Sequence, residues 1–440
     1  MGNEKWRMEN AQFSISRYPQ MKDSGVAWIG GIPAGWEMRR LATLGEFSKG
    51  KGIPRSELKE NGCPVILYGD IYTKYDVVAD FIFNHISEET AQNSIRIRFG
   101  DILFTGSGET REDIGKSITY IGDESVCVGG DVIIFRHKCD HLFLSYSLNS
   151  NSATYQKARA GKGGIIVHIY SSNLREIVLP LPPLEEQTAV SHYLDYKTAV
   201  IDQLISQKEQ LLALYEEEKG AIIDTAVTQG IHPTAKLKDS GIPWLSHIPA
   251  HWEVKKLKHV FRFHDYKRIP LSAEVRGKML NKRYDYYGAS GIIDSVEDFI
   301  FDGEYILLGE DGANLLTRNT ALAFKATGRF WVNNHAHILT PATGSLDYFV
   351  HLLECIDYTN SVSGSAQPKL TAGALGAVDV IIPPIQEQTA IVQHIEAETA
   401  RLNAKISKTK KLIALHKEYR TALISEVVTG KIKVTQEVAA

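Results

Sequence analysis

The chain carries one passage twice. Residues 22–41 read KDSGVAWIGGIPAGWEMRRL and residues 238–257 read KDSGIPWLSHIPAHWEVKKL, with eleven of twenty positions identical. A second pair follows: 181–190 is LPPLEEQTAV and 382–391 is IPPIQEQTAI, six of ten identical and the rest conservative. Leu212-Ala213-Leu214 and Ile413-Ala414-Leu415 extend the match, as do Val227-Thr228 and Val428-Thr429. Two copies of about 200 residues are duplicated domains, not a stacked array of short repeats. Between the motifs, residues 42–180 and 258–381 differ. The chain is therefore two similar frames around two dissimilar inserts, a pattern that keeps one geometry while allowing two ligands.

Each PPxxEQ motif opens a long helical stretch. After Pro183 the next proline is Pro233, and none follows Pro384. Apolar residues step by three and four: Val190, Leu194, Ile201, Leu204, Leu211, Tyr215 and Ile222, then Ile391, Ile395, Leu402, Ile406, Ile413 and Leu423. That is helical periodicity. Lys197, Lys208 and Glu218 interrupt the first seam. Glu185, Glu186 and Glu387 lie in the first turns, where acids suit the helix dipole. Two helices of about 45 residues, each roughly 65 Å long, are expected. A narrow stripe needs a partner. Pairing with each other makes an antiparallel coiled coil that spaces the inserts; packing on separate domains is the alternative.

The 440 residues exceed one compact core and suit two or three domains. Apolar content of 43% and charged content of 23% are those of an ordinary globular protein. With a net charge of −3, nucleic-acid contact would have to come from local patches or from partners. Four cysteines without a CxxC pair fit a reducing compartment. Cys127, His137, Cys139 and His141 cluster, but in no zinc spacing, so no metal is expected. The N-terminal residues lack an apolar signal region, and Trp6 breaks the myristoylation pattern. No run approaches 18 apolar residues, so no membrane span is expected.

The inserts read as strands, glycine turns and short helices. Candidate strands are 64–67, 95–99, 102–105, 132–136 and 177–181, then 305–309, 321–324, 337–339 and 378–382. Residues 255–283 hold ten Lys or Arg against two acids; 284–312 hold eight acids and no Lys or Arg. Lys49, Lys51 and Arg55 belong to a weaker basic run. Basic, aromatic and amide side chains suit phosphate and base-edge contacts. The candidates for such contacts are Lys49, Lys51, Arg55, Tyr68, Tyr72, Lys74, Ser107, Lys116 and Lys162 in the first insert. In the second they are Tyr266, Lys267, Arg268, Lys278, Lys282, Arg283, Asn314, Arg318 and Lys369. A charged run can equally be a solvated face. The loops Gly106-Ser107-Gly108, 161–164 and Ser363-Gly364-Ser365 could admit a phosphate backbone, or be plain turns.

Catalytic motifs are missing. Gly115-Lys116-Ser117 ends like a P-loop, but Thr110 stands where its first glycine belongs. Arg111 breaks a GxGxxG reading after Gly106-x-Gly108. The sequence contains neither HExxH nor GxSxG, and PPLEE and PPIQE are not an amino-methyltransferase signature. No catalytic residue is assigned.

KDSGxxWxxxIPxxWE before a variable block, then PPxxEQ before a long helix, both twice, resembles the specificity subunit of type I restriction-modification systems. The resemblance covers nearly the whole chain. It implies an α+β fold with two mixed α/β target-recognition domains in pseudo-two-fold arrangement, separated by the two long helices. It divides the chain into an extension (1–20), a first recognition domain (21–180), a central helix (181–231), a second recognition domain (232–381), and a C-terminal helix and tail (382–440). Pro182, Pro183, Glu186, Gln187, Pro383, Pro384, Glu387 and Gln388 become frame or partner-docking residues. The resemblance further implies a cytoplasmic protein that binds double-stranded DNA without catalysis. Two modification subunits would carry S-adenosylmethionine, and two restriction subunits would use ATP and magnesium. A self-sufficient methyltransferase or nuclease, and a coiled-coil scaffold without DNA affinity, are the alternatives.

Overall fold

The structure, a computed structural model, describes residues 12–364 and 367–437; Ser365 of the third glycine loop lies outside them. Its helices include α1 (Tyr68–Thr73), α2 (His141–Leu148), α3 (Asn151–Ala160), α4 (Leu184–Gln229), α5 (Leu346–Cys355) and α6 (Ile385–Val428). The two longest have 46 and 44 residues, as the proline-free stretches require.

The chain forms two compact units. One holds the residues up to Glu209 together with those from Lys411 onward; the other is Gln210–Lys410. The boundary between the units falls inside both long helices. Strand Gln12–Ser16 pairs antiparallel with Lys433–Glu437, so residues from both sequence ends complete unit 1.

Unit 1 contains two five-stranded sheets. One runs in the order 95–97, 126–128, 63–66, 84–86, 58–59; the other 45–49, 132–137, 102–105, 117–120, 78–79. Ile102, Leu103 and Phe104 are consecutive and all buried, because both faces of their strand are covered. One face packs with Phe135, Leu144 of α2 and Ala153 of α3; the other packs with Ile118, Tyr120 and Ile134.

Unit 2 has a single six-stranded sheet, in the order 261–263, 336–341, 301–309, 323–332, 284–288, 291–296. Helix α5 covers one face through Tyr348, Phe349, Leu352 and Leu353. On the opposite face Phe301, Leu307, Phe330 and Ile338 cluster. The two inserts thus differ in sheet number and strand order.

Within each unit the long helices pair antiparallel. In unit 1, Arg420 bonds Asp202 at 2.9 Å and Lys417 bonds Glu209 at 3.2 Å. In unit 2, Arg401 meets Glu218 at 3.4 Å and Lys219 meets Asn403 at 3.2 Å. The six seam residues expected in α6 are all buried. In α4 the phase differs: Leu204 and Leu211 are 39% and 36% exposed, whereas Ile205 is buried.

Candidate nucleic-acid interface

The repeated motifs lock each insert at its neck. Strand Glu37–Arg40 pairs with Val178–Leu181, and Glu253–Lys256 pairs with Asp379–Ile382, in the same antiparallel register. The Trp36 indole donates to Glu186 at 3.0 Å; Trp252 donates to Glu387 at 2.6 Å. Tyr18 also donates to Glu186, and burial raises its phenol pKa above the ordinary value. The adjacent glutamine spans two backbone groups. Gln187 accepts from the Asp140 amide (2.9 Å) and donates to the Pro182 carbonyl (2.8 Å). Gln388 accepts from the Ser345 amide (2.8 Å) and donates to the Pro383 carbonyl (2.9 Å). Asp140 and Ser345 are the N-caps of α2 and α5. The EQ dipeptide therefore ties strand, helix start and insert together. Gln187 and Gln388 are buried, so they serve the frame and present no surface to a partner; Pro182 and Pro383 are buried with them, while Pro183 and Pro384 are exposed.

In unit 1 a cleft of about 550 Å³ lies between the 52–58 segment, α1 and the glycine pair Gly129-Gly130. Arg55, Tyr68 and Lys74 line it. Tyr68 is 41% exposed. Lys51 and Arg55 are exposed without a carboxylate partner among the described residues, and Lys74 sits over the Phe83 ring at 5.4 Å. Lys49 faces Asp131 at 3.9 Å, an exposed and therefore weak pair. Lys162 is exposed on its glycine loop.

Three first-insert candidates are committed to the fold instead. The Tyr72 hydroxyl accepts from Thr105 at 2.8 Å and donates to the Ser107 carbonyl at 3.2 Å. Ser107 is buried against His168 Nδ1 at 3.0 Å, and Gly106-Ser107-Gly108 is buried with it, closed to a phosphate. Lys116 donates to the Tyr75 carbonyl at 2.5 Å, and burial lowers its pKa.

Unit 2 divides similarly. Tyr266, Lys267 and Arg283 are exposed. Lys278 pairs with Glu274 at 2.6 Å, Lys282 with Asp294 at 2.8 Å and Lys369 with Glu310 at 3.2 Å. The acidic run after residue 283 thus folds back onto the basic run before it. Arg268 is inside, bound to Glu310 and to the Ala336 carbonyl. Arg318, at φ +52°, donates to the Glu354 and Ile356 carbonyls. Asn314 closes its own loop through Thr320. These three are structural, not available to a ligand.

The cysteine–histidine cluster does not converge. Cys127 points at the Ala91 carbonyl, His137 stacks on Phe135 and His141 meets Phe99 edge-on. Burial lowers the pKa of both histidines. Among the described residues, Asp265, Glu310 and His337 do bring ligand atoms together, but Arg268 is ion-paired to both carboxylates and fills the cationic role. Sequence reading missed Asn84, Gly129 and Gly130, which join the unit 1 cleft only through strand pairing.

A family model, the type I restriction modification DNA specificity domain, matches residues 33–213 and 249–412. The chain belongs to this family. Each specificity-domain match takes in one insert, its neck and the start of one long helix. The type I restriction enzyme MjaVIII specificity subunit of Methanocaldococcus jannaschii is 21% identical, over 92% of this chain and 94% of its own. A specificity subunit of Haemophilus influenzae is 33% identical over 34% of this chain and 37% of its own. The same fold occurs in a chain solved in work on type I R-M complex assembly and conformational transition (TM-score 0.63, 16% identity, 90% of this chain and 98% of that one). It occurs too in the HsdS subunit from Thermoanaerobacter tengcongensis (TM-score 0.51, 16% identity, 91% and 98%). Among the described residues, no helix is long and apolar enough to cross a membrane.

Proposed function

We propose that this specificity subunit reads a split double-stranded DNA target, with the unit 1 insert on one half-site and the unit 2 insert on the other. The observation that carries this reading is the pairing of one neck with two inserts. The same strand register and the same Trp–Glu bond hold two five-stranded sheets in one unit and one six-stranded sheet in the other. A frame that repeats while its cargo differs fits two different base sequences.

Catalysis then lies in partners in the cytoplasm. Two modification subunits bind S-adenosylmethionine and flip the target adenine out of the stack to methylate it. Two restriction subunits use ATP and magnesium. The near-neutral charge of the chain fits weak DNA binding alone and tighter binding in the complex. Genome-wide mapping of adenine methylation, with and without the gene, tests the reading. A split motif that disappears with the gene supports it; a motif that persists, or is contiguous, overturns it.

A further inference from the structure

Resting on that reading, we infer that the unit 1 cleft straddles one DNA strand and that Arg55, at its rim, reads a guanine in the half-site of unit 1. The cleft has the size of a ligand site, about 550 Å³, enough for a nucleotide. Its charge balance is positive where it counts. Of the two carboxylates lining it, Asp70 is used up: one oxygen accepts from the Leu67 amide and the other from the Asn84 side chain, both at 2.8 Å. Asp131 faces Lys49. That leaves Arg55 and Lys74 without a carboxylate partner among the described residues.

Arg55 begins a one-turn 3-10 helix directly after Pro54, on an exposed segment. Its guanidinium lies beside Gly69, 3.7 Å from where a Cβ would stand. With no side chain at 69 to cover it, the fork keeps its donors open. A planar fork with two parallel donors matches O6 and N7 of guanine, whereas a lysine ammonium acts as a point charge on phosphate. The exposed Tyr68 ring adds an apolar surface beside it. In unit 2, Arg268, Arg276, Lys278 and Lys282 all bind carboxylates, and Lys267 and Arg283 stay exposed.

The test uses the full chain in cells with its modification partners, with methylated sites mapped for wild type, Arg55→Ala, Arg55→Lys and Lys74→Ala. Both Arg55 variants are expected to relax one guanine position in one half-site, by roughly tenfold or more in discrimination, and to leave the other half-site intact. Arg55→Lys keeps the charge, so relaxation in that variant supports the fork. Lys74→Ala is expected to keep the motif and to lose methylation in vitro as salt rises. A wild-type split motif that neither Arg55 variant alters overturns this inference alone. A uniform loss of methylation with an unchanged motif also overturns it, because that is the signature of a phosphate contact. A wild-type chain that directs no split motif overturns both this inference and the reading beneath it.

Discussion

Replacing Gln187 or Gln388 with leucine should loosen one unit and leave the other alone. Each glutamine holds two backbone groups by hydrogen bonds of 2.8 and 2.9 Å, and the two side chains belong to residues only 4% and 1% exposed. Leucine has similar bulk and no polar atoms, so an amide and a carbonyl remain in the interior without partners. Each such orphan costs about 1–3 kcal/mol, so the pair costs about 2–6 kcal/mol. That is a large share of the about 5–15 kcal/mol that holds a domain folded. The amide in question belongs to the N-cap of α2 or of α5, so those helices report the loss. Hydrogen exchange followed by mass spectrometry separates the two. Gln187→Leu should speed exchange in residues 141–148 by roughly 30-fold to 20,000-fold, the same free energy at 1.4 kcal/mol per decade, and spare 346–355. Gln388→Leu should do the reverse. Changes below about threefold, or equal changes in both helices, would refute the reasoning.

Lys157 is fully buried with one partner among the described residues, the Gly115 carbonyl at 2.8 Å, and burial pushes its pKa down to about 7. Between that value and the ordinary lysine range near 10.5, the unfolded chain holds one more proton, so stability should rise with pH across this window; thermal melts at pH 7 and pH 9 should show that rise in wild type and not in Lys157→Met. Arg420 binds Asp202 and Asp76 from a site 18% exposed, but both acids are largely solvated. Arg420→Ala should therefore cost only about 1 kcal/mol, and less in high salt; a urea midpoint shift that ignores salt would contradict this. Inserting four residues into both long helices adds about 6 Å of helix, near two base pairs; methylation retained at the original spacing would count against the helices setting it. Exchanging residues 258–381 for another insert should change one half-site only, and sequencing of methylated sites would expose a change in both.

The repeat was the legible part, because a frame that must hold its geometry keeps its residues. Trp36 and Glu186 stand 150 positions apart, and Trp252 and Glu387 135, yet each pair is one hydrogen bond. Recurrence marked these residues as a set; only folding shows which touches which. The expected strands at 102–105, 132–136 and 378–382 fall within a residue of those observed, since short apolar runs between glycine turns leave little choice. The α4 seam was harder. Leu204-Ile205 and Leu211-Leu212 are adjacent apolar pairs, so steps of three and four allow two phases. The antiparallel partner chooses Ile205, a decision made 200 residues away.

Candidate ligand contacts failed for a related reason. Arg55 and Arg268 look alike in sequence, each in a basic run and each on a 3-10 turn or its cap. One stays open, and the other is closed by Glu310 and Asp265. Availability of a cation depends on the absence of a carboxylate, and in unit 2 that carboxylate arrives from 12 to 42 residues downstream. The basic run at 255–283 outweighs that at 39–59 by count. The acids of 284–312 neutralise only part of it: Arg268, Arg276 and Lys282 are taken up, while Lys267 and Arg283 stay exposed, as Lys51 and Arg55 do in the weaker run.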